Sequence, residues 1–267
     1  MPFLKVNLSV FLLFAALGYF LSGPFLAVAL GTTASALILI WHVVSTQIVL
    51  SALKAKRLTD AASSGNVIYR LFLGDAQALR ESAGLHGTQF FMVDTYVPLA
   101  FSMGSRSGSN FIVVTTGLFK TLTRLEVSAV IGHELGHIKA GDSALNGLRL
   151  SLSLIVSKLG IRPLLRVFGD AMPRTGLLAN VLLKPECRAD AFSAALCKDT
   201  KILASALKKL ERGVRAVQWR ALDTLPFLAN VAVVDPLAAQ DSYEHPEHSK
   251  TAYRVAELHR LELPKAA

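Results

Sequence analysis

Between Lys5 and Lys54 the chain carries no Asp, Glu, Lys or Arg. Ser22, Gly23 and Pro24 divide this stretch into two apolar blocks, 3–21 and 25–50. A helix needs about 20 residues to cross the hydrocarbon core of a bilayer. Each block is long enough, and together they predict a transmembrane helical hairpin over residues 1–53. Lys5 ahead of an apolar core also resembles a signal peptide, but a second long block with no cleavage-like site between the two favours the hairpin. Lys5 lies before it and Lys54, Lys56 and Arg57 after it, while the turn between is uncharged. Both ends are therefore expected on the cytoplasmic side. His42 and Gln47 interrupt the second block, and His42 is expected to be a neutral histidine packed near the other helix.

After the hairpin the pattern changes period. Residues 66–84 carry Val67, Leu71, Ala78 and Leu79 on one helical face and close at Gly84,. His86 falls in the following turn and is expected to be solvated. Residues 90–93 and 110–115 are β-branched and aromatic and read as strands, with 99–104 a third and 105–109 a Ser/Gly turn,. A small antiparallel sheet is the expectation. Residues 145–183 are apolar again, but Arg149, Lys158, Arg162, Arg166, Asp170, Arg174 and Lys184 interrupt them, as do Pro163 and Pro173. A central Lys or Arg costs about 2.5–3.5 kcal/mol on insertion scales. Short helices lying on the membrane or over a site are expected there, not spans. Pro185 is expected to open a further helix, residues 201–212 form an amphipathic helix with a basic surface, and Arg254 lies in a last one.

Composition sharpens this picture. Of 267 residues 52% are hydrophobic and 18% charged, a low charge content for a soluble protein,. The net charge of +9 is accompanied by no aromatic–basic interleaving or nucleic-acid motif, so nucleic acid is not the expected partner,. Basic residues begin where the apolar run ends, which points to anionic lipid headgroups. Cys187 and Cys197, ten apart on one predicted helix, cannot bridge,.

The chemistry is concentrated at His133-Glu134-Leu135-Gly136-His137, an HExxH pattern inside an apolar helical run. Positions four apart share a helix face one turn apart, so both imidazoles can aim at one zinc ion. Glu134 sits beside that ion, where it can take a proton from an activated water. Thr123 and Glu126 form a capping box at the start of this helix and Gly141 a stop at its end,. Such a site needs a third protein ligand. Glu186 and Asp190, about fifty residues downstream and four apart on the next helix, are both placed to supply a carboxylate.

These features in order resemble the HtpX-type integral-membrane zinc metallopeptidases, relatives of the prenyl-protein endopeptidases of the endoplasmic reticulum. The resemblance spans essentially the whole chain. It rests on the membrane hairpin, Val113-Val114-Thr115-Thr116-Gly117-Leu118, the HExxH pattern, Gly141-Asp142, Glu186-Cys187-Arg188-Ala189-Asp190, and His245-Pro246 with Arg254. It implies an α+β, mostly helical zincin-like catalytic domain over 54–267, with 145–184 as a membrane-surface or lid insertion. It also implies that His133, His137 and Glu186 bind one zinc, that Glu134 is the general base, and that Asp190 orients a ligand histidine. His245, with Arg254, would steady the oxyanion. Two departures stand out. Leu99-Ala100-Phe101 occupies the substrate-binding edge strand where the family has Asn-Ala-Phe, and the stretch before Glu186 is shorter and more charged than in relatives with a second membrane hairpin.

The expected protein is a multi-pass membrane zinc endopeptidase of a bacterial-type inner membrane. It would cut unfolded or membrane proteins at the cytoplasmic face, in membrane-protein quality control. Two alternatives are a non-proteolytic membrane adaptor with a structural zinc and a narrow processing peptidase.

Overall fold

The two apolar blocks form helices α1 (Pro2–Ser22) and α2 (Pro24–Ala52), packed against each other as a hairpin. Gly23 takes a left-handed φ of 82°, and Pro24 starts α2 at a position where no backbone N–H is needed,. Inside the pair, Ser35 Oγ donates to Asn7 Oδ1 at 2.6 Å and Asn7 Nδ2 donates to the Ser35 carbonyl at 3.1 Å. Polar groups facing an apolar surround are thereby satisfied by each other. The outer surface is apolar, with Leu8, Leu12, Leu13, Phe20, Phe25, Val28 and Ile40 all exposed. α2 is long and apolar enough to cross a membrane, while residues Asn7–Ser22 make a shorter apolar helix.

The computed structural model describes residues 2–59, 65–104, 109–147, 150, 151, 154, 177–216, 231–234 and 250–261. His245 and Pro246, and most of the 145–176 stretch, lie outside the described residues.

At 29 residues α2 is longer than the bilayer core requires,. Its last turns enter the domain, where Val49, Leu50 and Leu53 share a core with Phe91, Val93, Phe101, Met103, Phe111 and Val113. His42 is buried, as expected, whereas Gln47 is exposed. The beginning of the 145–183 region also runs against α2. A Cβ on Gly147 would lie 2.9 Å from Thr46 Oγ1, and Leu150 and Leu154 join Val49 and Leu50.

The sheet comprises β1 (Lys56–Arg57), β2 (Thr88–Val93), β3 (Ala100–Gly104) and β4 (Asn110–Thr115), in the spatial order β1-β2-β4-β3. β3 and β4 are antiparallel, as expected, but β2 and β4 run parallel from Thr88↔Asn110 to Val93↔Thr115. The sheet is therefore mixed, not antiparallel throughout. The chain crosses from β2 to the far edge, and the β3–β4 hairpin then returns β4 into the space beside β2. Period-two alternation sends Phe90, Met92, Ala100, Ile112 and Val114 to one face and Phe91, Val93, Phe101, Phe111 and Val113 to the other,. Both faces are covered.

On the first face lie α3 (Val67–Ser82), the short α4 (Thr116–Thr121) and α5 (Arg124–Ala140). Asn66 caps α3, and His86, after it, is exposed. Thr123 and Glu126 make the anticipated capping box of α5, and Gly141, at φ 78°, ends it. A 3-10 turn (Asp142–Leu145) follows. Beyond it come α6 (Leu177–Cys197), α7 (Thr200–Arg215) and α8 (Lys250–Arg260). Pro185 does not open α6; it lies inside it. Leu177–Lys184 is already helical ahead of it, mostly Leu and Ala, and the helix continues through the proline,. Cys187 and Cys197 are free thiols.

Candidate metal centre

The site is built where α5 and α6 touch. On α5, Gly132 and Gly136 present bare backbone to Ser193 and Ala189 on α6. A Cβ on Gly136 would lie 2.9 Å from the Ala189 Cα, and one on Gly132 would lie 2.9 Å from Ser193 Oγ. Small residues four apart on both helices thus let the backbones approach closely, and Ser193 Oγ ties them by donating to the Ala129 carbonyl at 2.6 Å. Glu186, one turn before Asp190, is delivered opposite His133 and His137.

The three donors converge. His133 Nε2 and His137 Nε2 are 3.1 Å apart, and Glu186 carboxylate oxygens lie 3.6 Å from the former and 3.3 Å from the latter. Bonds of about 2.0–2.2 Å at tetrahedral angles put ligand atoms about 3.3 Å apart. The spacing fits one tetrahedral ion with a position left open, and these three residues form a group able to hold a metal.

Each histidine is held from behind by an acid–arginine pair. His133 Nδ1 lies 2.8 Å from Asp190 Oδ1. Asp190 in turn accepts from Arg254 Nε at 2.8 Å and Nη2 at 2.6 Å. His137 Nδ1 lies 3.4 Å from Asp142 Oδ2, and Arg188 Nη2 donates to both Asp142 oxygens at 2.8 and 3.0 Å. A carboxylate on Nδ1 fixes the tautomer in which Nε2 offers its lone pair to a metal. Asp190 and Arg254 are buried, whereas Asp142 and Arg188 face solvent in part.

The electrostatics follow from these contacts. Burial works against charge on Asp190, but Arg254 outweighs it and holds the carboxyl well below its usual range. Packing likewise opposes charge on Glu186, yet Arg254 and the two histidines bring it down to about 2. Burial alone would lower His137, but Asp142 and Glu186 push it up to about 10. Glu134 is almost wholly inaccessible, and burial raises its pKa against the pull of His133, His137 and Ser102. Neither of its oxygens makes a hydrogen bond of acceptable geometry among the described residues. A buried carboxylate beside three possible metal donors is a candidate for chemistry rather than for structure.

Residues 73–262 match peptidase family M48. The chain belongs to that family. It is also 31% identical over 208 residues to a protein described as a Protease HtpX homolog from Gemmatimonas aurantiaca, an alignment covering 68% of this chain and 72% of that one. The protein is an HtpX-like, membrane-associated metallopeptidase, and the convergent donors could hold a metal.

Within this M48 peptidase the sequence-predicted residues fall unevenly. His133, Glu134, His137, Glu186 and Asp190 come together as expected. Arg254 also reaches the site, but its three guanidinium nitrogens are engaged. Nε and Nη2 bind Asp190, Nη1 donates to the Val233 carbonyl, and Nη1 also lies 3.1 Å from Glu186. It is placed to hold carboxylates rather than to reach towards a substrate. Leu99 has its backbone turned to β4 and its side chain in the main core. An asparagine amide there would need a buried partner. Ala100 and Phe101 are fully buried.

The sequence pattern by itself carries no role for Asp142 or Arg188. A usable signal existed for Asp142, which follows His137 by five residues, just past the helix stop. Arg188 had no comparable signal, because its partner is 46 residues away.

Proposed function

We propose that this protein is a zinc-dependent endopeptidase that cleaves unfolded or misassembled membrane proteins at the cytoplasmic face. Its α1–α2 hairpin would span the membrane twice, with both ends inside. The reading is supported most by one observation: three donors at tetrahedral spacing beside a buried Glu134 whose oxygens have no hydrogen-bond partner of good geometry among the described residues. Lys5, Lys54, Lys56 and Arg57 on one side of the hairpin support the orientation,. Zinc is favoured over harder ions by two imidazoles and one carboxylate, the donor set of catalytic zinc sites.

In this reading His133, His137 and Glu186 would hold the zinc, which would supply Lewis acidity to the scissile carbonyl and to a water, whose pKa such an ion lowers to about 7. Glu134 takes the proton of the attacking water and hands it to the departing amine nitrogen. Asp190 and Asp142 keep both imidazoles in the ligating tautomer, and Arg254 keeps Asp190 and Glu186 charged. His245, on the family resemblance, steadies the developing negative charge on the carbonyl oxygen. The substrate lies extended along β3, giving sequence-tolerant, backbone-driven binding suited to clearance.

The test is cleavage of an unfolded, casein-like protein by detergent-purified enzyme with zinc. Fragments are expected from the wild type, and none after chelation or with Glu134→Gln, although that variant keeps its zinc. Cleavage by Glu134→Gln would refute the assigned base.

A further inference from the structure

The edge of β3 is the place where an extended peptide would pair, and the chain itself sits on it. Leu99, Phe101 and Met103 turn their backbone groups towards β4, so the outward-facing groups of β3 belong to Ala100, Ser102 and Gly104,. The Val233 amide donates to the Ala100 carbonyl at 3.1 Å, and Ala232 forms an antiparallel bridge with Phe101. The Asn146 side-chain amide donates to the Ser102 carbonyl at 2.9 Å. At the far end the Ala144 backbone closes on Gly104, leaving 3.0 Å between its Cα and a Cβ placed there.

Residues 231–234 are also tied to the metal centre. The Val233 carbonyl accepts from Arg254 Nη1, on the same guanidinium that holds Asp190 and lies against Glu186. Val233 and Val234 are buried, and Val233 shares the main core with Ala100. The segment is therefore an antiparallel neighbour of the edge strand, one guanidinium away from the metal donors.

We propose that residues 231–234 are an intramolecular strap occupying the substrate's place on β3, and that they leave before an extended substrate pairs there. The proposal rests on the endopeptidase reading and names a regulation of that same site. A tethered segment competes at an effective concentration on the order of millimolar, so a dilute peptide gains the edge only when the strap opens. Opening removes the Val233 carbonyl from Arg254 but leaves its bonds to Asp190, so the metal donors keep their support while the edge becomes available.

The test is a disulfide lock in the full-length protein, Ala100→Cys with Val233→Cys in a Cys187→Ala, Cys197→Ala background. Neighbouring residues across an antiparallel pair have Cα atoms about 4.5–5.5 Å apart, within disulfide range. Two readouts are taken on zinc-loaded protein in detergent: cleavage of unfolded casein, and binding of a fluorescent extended peptide bearing a zinc-directed hydroxamate. Measured against the same double-cysteine protein after reduction, the oxidised form should lose both by more than about tenfold. Equal cleavage by the two forms overturns the strap. If the cysteine-free parent and the reduced form both cut nothing, the endopeptidase reading has failed and binding decides the strap alone. Binding only to the reduced form sustains it; equal binding, or none to either, overturns it. Should the cysteine pair fail to fold, hydrogen exchange on the wild type replaces it. The hydroxamate peptide should deprotect residues 231–234, and protection unchanged or increased would sink the proposal.

Discussion

Gly136→Ala is the perturbation that most directly probes how the metal donors are assembled. The added Cβ would sit 2.9 Å from the Ala189 Cα and 3.2 Å from its Cβ and carbonyl oxygen. Carbon–carbon contacts settle at about 3.5–4.0 Å, so α6 must retreat by roughly 0.6–1 Å at the turn that carries Glu186. The donors now lie 3.1–3.6 Å apart, and a shift of that size takes the carboxylate off tetrahedral spacing. Overpacking of this kind costs about 1–3 kcal/mol of stability. Misplacing a ligand's support costs about 10–100-fold in metal affinity. The assay is zinc competition against a chromogenic chelator, run beside thermal unfolding in detergent, where each kcal/mol moves the midpoint by about 2–4 °C. Gly132→Ala is the internal control. Its Cβ meets chiefly the Ser193 hydroxyl, which can rotate away by surrendering its bond to the Ala129 carbonyl. It should destabilise the protein with a smaller loss of zinc affinity. Ala189→Gly should not rescue Gly136→Ala, because the closest atom is the Ala189 backbone. If Gly136→Ala binds zinc like the wild type and unfolds at the same temperature, close helix approach is not what places Glu186.

The other predictions concern the supports of the site. Burial would raise Glu126, but Lys209, Ser205 and Thr123 outweigh it and bring the carboxyl to about 2. A depressed pKa stabilises the fold above the unfolded value near 4.5 and is lost as pH falls towards 2. Glu126→Gln should therefore cost up to about 3 kcal/mol at pH 7 and little near pH 2, and a gap between variant and wild type that ignores pH would refute the ion pair's part. Arg254→Met strands the Asp190 carboxylate in the interior and should destabilise by about 3–5 kcal/mol; an unchanged unfolding temperature would mean the carboxylates are held otherwise. Asp142→Asn frees the His137 ring and should weaken zinc binding by about 10–100-fold, whereas wild-type affinity in the same chelator competition would remove Asp142 from the site.

Some of this molecule is written in local spacing. His133 and His137 share a face because four residues make about one helical turn, Thr123 and Glu126 cap because they are three apart, and Gly141 ends the helix because it tolerates positive φ. The strands were legible for the same reason, as was the charge-free hairpin: alternation and apolar length belong to neighbouring residues. What the tertiary structure alone decided joins residues distant along the chain. The parallel pairing of β2 with β4 depends on which way the β3–β4 hairpin folds back, and strand periodicity does not specify that. Gly132 and Gly136 acquire meaning only once Ala189 and Ser193 lie against them. Arg254 has the same sequence neighbours whether it faces substrate or Asp190; only the docking of α8 beside α6, with Val233 beneath the guanidinium, turns it to the carboxylates. Residues 231–234 read as four small apolar side chains among many, and it is the unpaired edge of β3, itself a product of strand order, that gives their amides and carbonyls something to bind.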